Sequence, residues 1–226
     1  MKKVVFCIQN NLIEEVLKSK NLINKSSILI KDKNELTLEF LEEINPDFLM
    51  FPHWSYKVDS EIVKNFKCIC FHASPLPYGR GGSPIQNMII RGHRETELCC
   101  LLMVENFDAG PVYLRNKISL EGNLDEILNR VYEAIAFQMK KLITNDLVPI
   151  EQVGEVVNFK RITDNQINFS EAIDKIYDKI RMLDSDIYPS AFIQLDNYKI
   201  EFNKAKLTDQ NLQANVVIRK IKRDDE

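Results

Sequence analysis

The sequence predicts an α/β protein with a mostly parallel, twisted sheet, followed by a small α+β or β-rich appendage. Three observations lead there. Short apolar runs of strand character alternate with stretches of helical spacing as far as residue 120. A long amphipathic helix, Leu124 to Ile143, closes that alternation. After Asn145 the pattern changes to one shorter helix and several alternating segments.

Residues 3–8 read as the first strand, and Leu12-Ile13-x-x-Val16-Leu17 has the spacing of a helix face. Ser27 to Ile30 is a second strand, and Leu36-x-x-Glu39-Phe40-Leu41-x-x-Ile44 is a second helix that Pro46-Asp47 breaks. Phe48 to Phe51 is a short apolar strand, Ile62-Val63-x-x-Phe66 a helical turn, and Cys68 to His72 a strand. A helix then starts at Pro84, with Ile85-x-x-Met88-Ile89-Ile90 on one face and Gly92 as its stop. Glu97 to Val104 and Val112 to Leu120 are longer strands on either side of Asp108. In the long helix, Leu124, Ile127, Leu128, Val131, Ile135, Met139 and Leu142 form a stripe that faces a core. Beyond it, a loop and short strand carry Lys160-Arg161, and a helix runs from about Glu171 to Leu183. Pro189 precedes the strands Ala191 to Leu195, Tyr198 to Phe202 and Val216 to Ile218. There is no internal repeat and no low-complexity linker. Residues 1–150 are expected to form the main domain and 151–226 a small C-terminal subdomain.

The 226 residues suffice for one ordinary core plus an appendage, and 45% hydrophobic with 28% charged residues is the balance of a soluble globular protein. A net charge of -3 leaves no electrostatic footprint for nucleic acid. The basic tail Ile218 to Arg223 is followed at once by Asp224, Asp225 and Glu226, the pattern of a solvated, frayed end. The apolar run after Met1-Lys2-Lys3 stops at Gln9, too short for a signal segment, and no run reaches the length of a membrane span. A cytoplasmic location is therefore expected, without a membrane partner. The five cysteines, Cys7, Cys68, Cys70, Cys99 and Cys100, all lie in apolar strands. Their odd number argues against a disulfide framework, and their spacing is not that of a zinc site. Reduced thiols and no metal are expected.

Five of the seven glycines, Gly79, Gly81, Gly82, Gly92 and Gly110, fall between residues 79 and 110. Glycines gather where the backbone takes positive φ or approaches a ligand, so the binding site is expected in that window. His72 ends a strand just before a Pro- and Gly-rich turn, and Asp108 lies in the loop between two strands. Ligands of open α/β sheets bind at that carboxyl edge. His53, after Phe51-Pro52, lies at the end of another strand and could line the same crevice, whereas His93 reads as an exposed helix end. An aspartate beside an imidazole favours the cationic ring, which can donate to an oxygen gaining negative charge, while the carboxylate helps pass a proton from an attacking amine. Ser74 has no nucleophile-elbow glycines, and Gly79-x-Gly81-Gly82 lacks the ending of a phosphate loop. The residues alone suggest acyl or one-carbon transfer to an amine through an oxyanion, and leave hydrolysis open.

His72-x-Ser74-x-Leu76-Pro77-x-x-Arg80-Gly81, then Pro84-Ile85-Gln86, then Asp108-Ala109-Gly110-Pro111 resembles the folate-dependent formyltransferases. That family includes glycinamide ribonucleotide, methionyl-tRNA and sugar-nucleotide N-formyltransferases, and a His-to-Asp spacing of 36 is typical of it. The likeness is clear over roughly residues 45 to 120. It implies a Rossmann-like core, 10-formyltetrahydrofolate as donor, a primary amine as acceptor, and His72 and Asp108 as catalytic residues. It also implies a pterin pocket built from Trp54 to Tyr56 and from the loop Val104, Glu105, Asn106 and Phe107. His53, Ser74, Tyr78 and Arg80 would meet the acceptor, whose phosphate would be held by Arg80 or a nearby Lys. One position departs from the pattern. The family usually has an Asn two residues before the His, donating to the formyl oxygen, and here Cys70 stands there. A thiol is the weaker donor. His53, Asn87, Asn106 or water are the candidates to replace it.

Methionyl-tRNA formyltransferases usually carry a larger, basic C-terminal domain, which this short acidic chain does not suggest. The stretch from Ile180 to Phe192 is similar to the region after the core in sugar N-formyltransferases. An amino-sugar nucleotide is therefore the expected acceptor, with no nucleic-acid partner and a homodimer possible. Methionyl-tRNA, glycinamide ribonucleotide, and a binding protein without turnover are the alternatives.

Overall fold

In a computed structural model, residues 2–221 are described, and the basic tail's last residues, 222–226, lie outside them. The chain divides into two compact units that interleave along the sequence. Unit 1 comprises Met1–Gly81, Glu97–Ile118 and Arg130–Asn158.

Unit 1 begins with β1 (Val4–Cys7), α1 (Asn11–Ser19), β2 (Ile28–Ile30), α2 (Leu38–Ile44), β3 (Phe48–Phe51), α3 (Ser60–Asn65) and β4 (Cys68–His72). Helix α1 starts where it does because the Asn10 side chain accepts from the Leu12 and Ile13 amides. It stays on the sheet by burying Ile13 and Leu17, each fully. Helix α2 ends at Asn45, whose φ of 46° is left-handed, just before Pro46. All four residues of β3 are buried, the signature of a parallel strand covered on both faces. Val5, Cys7, Leu49, Phe51 and Cys68 form the heart of one apolar cluster. Each large apolar side chain so enclosed contributes about 1.5–3 kcal/mol.

The six-stranded sheet has the order β2-β1-β3-β4-β6-β7, adding β6 (Glu95–Leu102) and β7 (Val112–Ser119). Strands β1, β2, β3 and β4 are parallel, with Leu49 opposite Cys68 and Phe51 opposite Cys70. Strand β6 joins antiparallel, setting Cys70 opposite Leu101 and His72 opposite Cys99. This is the expected α/β core with a mostly parallel sheet. The chain leaves β1 in one direction to β2 and returns on its other side to β3, so the crevice at a topological switch point opens beyond the ends of β1 and β3. The residues there are Gln9 and Asn10 after β1, and His53 and Trp54 after β3.

Unit 2 comprises Gly82–Thr96, Ser119–Asn129 and Phe159–Glu226. It holds α4 (Pro84–Ile90), with proline in its first turn, α6 (Ile173–Arg181), and an antiparallel sheet of order β11-β10-β9. Those strands are β9 (Ala191–Leu195), with the bounds read from the sequence, and β10 (Tyr198–Leu207) and β11 (Leu212–Lys220), which are longer than the alternation suggested because pairing continues past a bulge between Asn203 and Lys206. Arg181 is 1% exposed; its Nε donates to Asp178 (2.7 Å) and its Nη1 to the Leu120 and Gly122 carbonyls. A buried guanidinium needs such partners to offset its lost hydration.

The long helix α5 (Leu124–Thr144) buries the whole expected stripe from Leu124 to Leu142. Two local readings change. Tyr78–Gly81, read as a turn, forms a short strand, β5, that pairs with β8 (Val157–Phe159). Lys160 and Arg161 lie past the end of β8 rather than on it. Among the described residues no helix is long and apolar enough to cross a membrane.

Candidate active site

Strand β4 delivers His72 to the sheet edge, where its side chain is 8% exposed. Its Nε2 lies 2.7 Å from the Gly79 carbonyl oxygen. A carbonyl only accepts, so Nε2 carries a hydrogen and Nδ1 is the nitrogen left for chemistry. That Nδ1 faces Asp108 Oδ2 at 3.5 Å. The nitrogen free to meet a reacting oxygen is therefore the one beside the carboxylate.

Asp108 is pinned from several sides. Its φ of 53° is left-handed, a conformation Asp tolerates better than most residues. Its Oδ2 accepts from the Gly81 amide at 2.9 Å. The loop that carries it is closed at its base by the Leu102 amide donating to Pro111 O (3.0 Å). Glycine is required at 110, where a Cβ would lie 1.8 Å from the Leu102 carbonyl oxygen. Gln152 donates from Nε2 to the carbonyls of Asp108 (2.7 Å) and Gly110 (2.8 Å). Its Oε1 accepts from Arg80 Nε (3.1 Å) and Nη2 (2.7 Å). Two of Arg80's donors are thus spent on Gln152.

Cys70 is half-buried between apolar side chains of the core, including those about Phe51 and Leu101. Burial pushes its thiol well above the usual range, and the Asp108 carboxylate adds to that. It is a neutral thiol and no nucleophile. All five cysteines are free. Among the described residues no group of three or more His, Cys, Asp or Glu is placed to hold a metal ion.

The switch-point crevice holds His53, also left-handed with a φ of 57°. Asn10 Nδ2 donates to Tyr132 Oη (3.2 Å), whose oxygen is hydrogen-bonded to His53 Nδ1 at 2.8 Å. Burial holds the His53 ring below the ordinary histidine value, so it is neutral. Gln9 Oε1 accepts from the Ser55 amide at 3.0 Å, which fixes the turn after β3. Trp54 stacks edge-on with Phe51 at 5.9 Å and Tyr56 at 5.8 Å. The Trp54 Nε1 is buried without a hydrogen-bond partner among the described residues. Tyr56 is exposed, as are Val104, Glu105, Asn106 and Phe107 on the Asp108 loop. Ser74, expected on the acceptor, is fully buried; its hydroxyl donates to Gly79 O (3.0 Å), so it braces the carbonyl that holds His72. Tyr78 is half-buried at the start of β5. Asn87 cannot replace the missing amide at position 70: its Nδ2 is spent on the Gly82, Ser83 and Lys160 carbonyls within unit 2. Sequence reasoning missed Gln152, Tyr132 and Asn10. No spacing marks a lone glutamine 44 residues beyond Asp108.

The fold has a switch-point crevice and a His–Asp pair at the carboxyl end of its sheet, and the sequence profile described as "Formyl transferase" matches residues 8–147: the chain belongs to that family. A second profile, "Methionyl-tRNA formyltransferase, C-terminal domain", matches residues 162–219. Among similar proteins, the methionyl-tRNA formyltransferase of Malacoplasma penetrans is 31% identical over 180 residues, 75% of this chain and 56% of the relative. The chain spans about 56–64% of the length of the first curated relatives it matches. The solved methionyl-tRNA formyltransferase from Clostridium thermocellum has a TM-score of 0.92 at 34% identity, covering 97% of this chain and 100% of that one. A Mycobacterium tuberculosis protein described as a likely sugar N-formyltransferase shares the fold, with a TM-score of 0.66 at 14% identity over 87% of this chain and 93% of its own.

Proposed function

We propose that the chain transfers a formyl group from 10-formyltetrahydrofolate to a primary amine. The observation that carries this is the His72 Nδ1–Asp108 Oδ2 approach of 3.5 Å at the sheet edge of a formyl transferase family member. The residues fit the donor. The buried, unpartnered Trp54 Nε1 calls for an acceptor atom, and the Trp54 and Tyr56 rings offer faces for a flat pterin. Trp54, Tyr56 and the loop Val104, Glu105, Asn106 and Phe107 are proposed to hold it. When bound, it supplies the formyl carbon.

The chain's own residues then do the following. His72 keeps one proton on Gly79 and presents Nδ1, which donates a second proton to the oxygen that gains charge. Asp108 lies beside that nitrogen to take the proton the attacking amine sheds, which would pass to the donor's nitrogen as its bond to the formyl carbon breaks. His53, neutral and fixed by Tyr132, lines the crevice from the β3 side. Cys70 adds little as a donor. Tyr78 and the remaining Arg80 donors are proposed to meet the acceptor.

The amino group of methionyl-tRNA is the acceptor best supported, because the relatives named above at 31% and 34% identity carry that name and the C-terminal profile does too. The reading of the sequence alone, an amino-sugar nucleotide and no nucleic acid, took shortness and net charge as arguments against tRNA. The Clostridium thermocellum methionyl-tRNA formyltransferase is matched over 97% of this chain and 100% of its own, which speaks against using shortness as an argument. An amino-sugar nucleotide, the acceptor read from the sequence, stands second, because the tail that suggested it matches the methionyl-tRNA formyltransferase C-terminal profile. The test is formyl transfer from labelled 10-formyltetrahydrofolate, with methionyl-tRNA and a panel of nucleotide-linked amino sugars offered separately. Label on the tRNA supports the first acceptor; label only on a sugar replaces it; wild-type protein that formylates neither overturns both.

A further inference from the structure

We propose that Gln152 is a positioning residue for Asp108, with Arg80 fixing the orientation of its amide; the assignment rests on the formyl-transfer reading above. The segment that carries Gln152 lies in unit 1 between α5 and β8. It is tied to β7 by the Ile150 amide donating to Val112 O (2.9 Å) and the Val112 amide donating to Ile150 O (2.8 Å). Its apolar side chains Val148, Ile150 and Val153 point outward, 82%, 74% and 87% exposed, while Gln152 is half-buried. A segment that turns its valines to solvent and its glutamine inward is not placed there to build a core.

The amide has one consistent orientation. Arg80 offers only N–H groups, so the Gln152 oxygen must face it, and the NH2 must then face the two carbonyls. A flipped amide would set donor against donor and acceptor against acceptor at all four contacts. The two carbonyls belong to Asp108 and Gly110, on either side of Ala109, so one side chain clamps the backbone that sets the direction of the Asp108 carboxylate. The Gly81 amide holds that carboxylate from its other end. Asp108 is in a left-handed conformation, which costs on the order of 1 kcal/mol or more and persists only where the surroundings over-determine it. Arg80 therefore acts on the reaction through Gln152, not only on an acceptor's phosphate.

The test is Gln152→Glu, which keeps an acceptor for Arg80 and removes both donations to the Asp108 loop. If the glutamine merely anchors Arg80, this variant is neutral. If it positions Asp108, kcat falls on the order of 10–100-fold, since a shift of about 1 Å at a reacting group costs that much, and KM for the formyl donor stays within about threefold. Placed in an Asp108→Asn background, the same change adds nothing, because the group it positions is already gone. Gln152→Met, nearly isosteric and without either polar group, guards against a folding failure and should show the same kcat loss with an unchanged melting temperature. Amide exchange at Gly81, whose N–H reports the Asp108 carboxylate, should speed about tenfold in either variant even without donor or acceptor. Wild-type kcat together with unchanged Gly81 exchange in Gln152→Glu overturns the inference. Wild-type protein without formyl transfer overturns the functional reading instead, and Gly81 exchange still decides whether Gln152 places Asp108.

Discussion

His72 Nε2 donates to the Gly79 carbonyl at 2.7 Å, and that bond selects Nδ1 as the nitrogen that meets Asp108. The turn after β4 thus does two jobs: it ends the strand and it sets the protonation pattern of the ring. Ser74 shares the same carbonyl at 3.0 Å, so the acceptor itself is held in place.

His72→Ala and Asp108→Asn should each lower kcat for formyl transfer by about 10²–10⁴-fold, the usual worth of a placed acid or base. The melting temperature should change little for Asp108→Asn, because the Gly81 amide keeps an oxygen to bind. Steady-state kinetics beside a thermal melt separate the two effects; activity within threefold of wild type in Asp108→Asn would remove the carboxylate from the mechanism.

Cys70→Asn should raise kcat. It places an amide where the family usually has one, and a donor of that kind is worth about 2.7–4 kcal/mol in other enzymes. Cys70→Ala should leave kcat within about threefold, since the buried neutral thiol is neither nucleophile nor strong donor. A complete loss of activity in Cys70→Ala would contradict this.

His53 makes stability depend on pH. Its folded pKa is depressed by burial, so below the unfolded value of 6.5 the unfolded chain binds a proton that the native ring refuses. Stability is therefore highest above 6.5 and falls as the pH drops from there toward the folded pKa, by at most about 1.4 kcal/mol per pH unit. His53→Asn, which tolerates the left-handed backbone, should lose less melting temperature between pH 7.5 and 5.5 than wild type. Equal losses would assign the effect to other groups.

Gly110→Ala should destabilise unit 1 by about 1–3 kcal/mol or more, since its methyl would sit on the Leu102 carbonyl. Because the same residue ends the Asp108 loop, activity should fall further than stability does. Denaturant unfolding and kinetics on the same variant test both parts.

Much of this architecture was legible from residue patterns. The run Phe48 to Phe51 announced a strand buried on both faces, and the stripe from Leu124 to Leu142 announced the long helix. His72 and Asp108 stood out because glycines and prolines crowd around them. Tyr78–Gly81 was illegible as a strand because its partner, β8, lies 76 residues further on and is only three residues long. Ser74 looked like a ligand because it follows His72 in the motif, yet a hydroxyl fully buried against Gly79 meets nothing from outside. Gln152 and Tyr132 act through hydrogen bonds to groups distant in the sequence, which no local periodicity records.

Arg181 has a consequence for how such chains are recombined. The carbonyls it satisfies, at Leu120 and Gly122, lie about sixty residues upstream, so the C-terminal stretch is not a cassette that one crossover can exchange. A chimera joined at a single point near residue 150 would inherit the latch from one parent and its catch from the other. Only grafts that carry residues 119–129 along with the segment beyond 159 keep both halves from the same lineage.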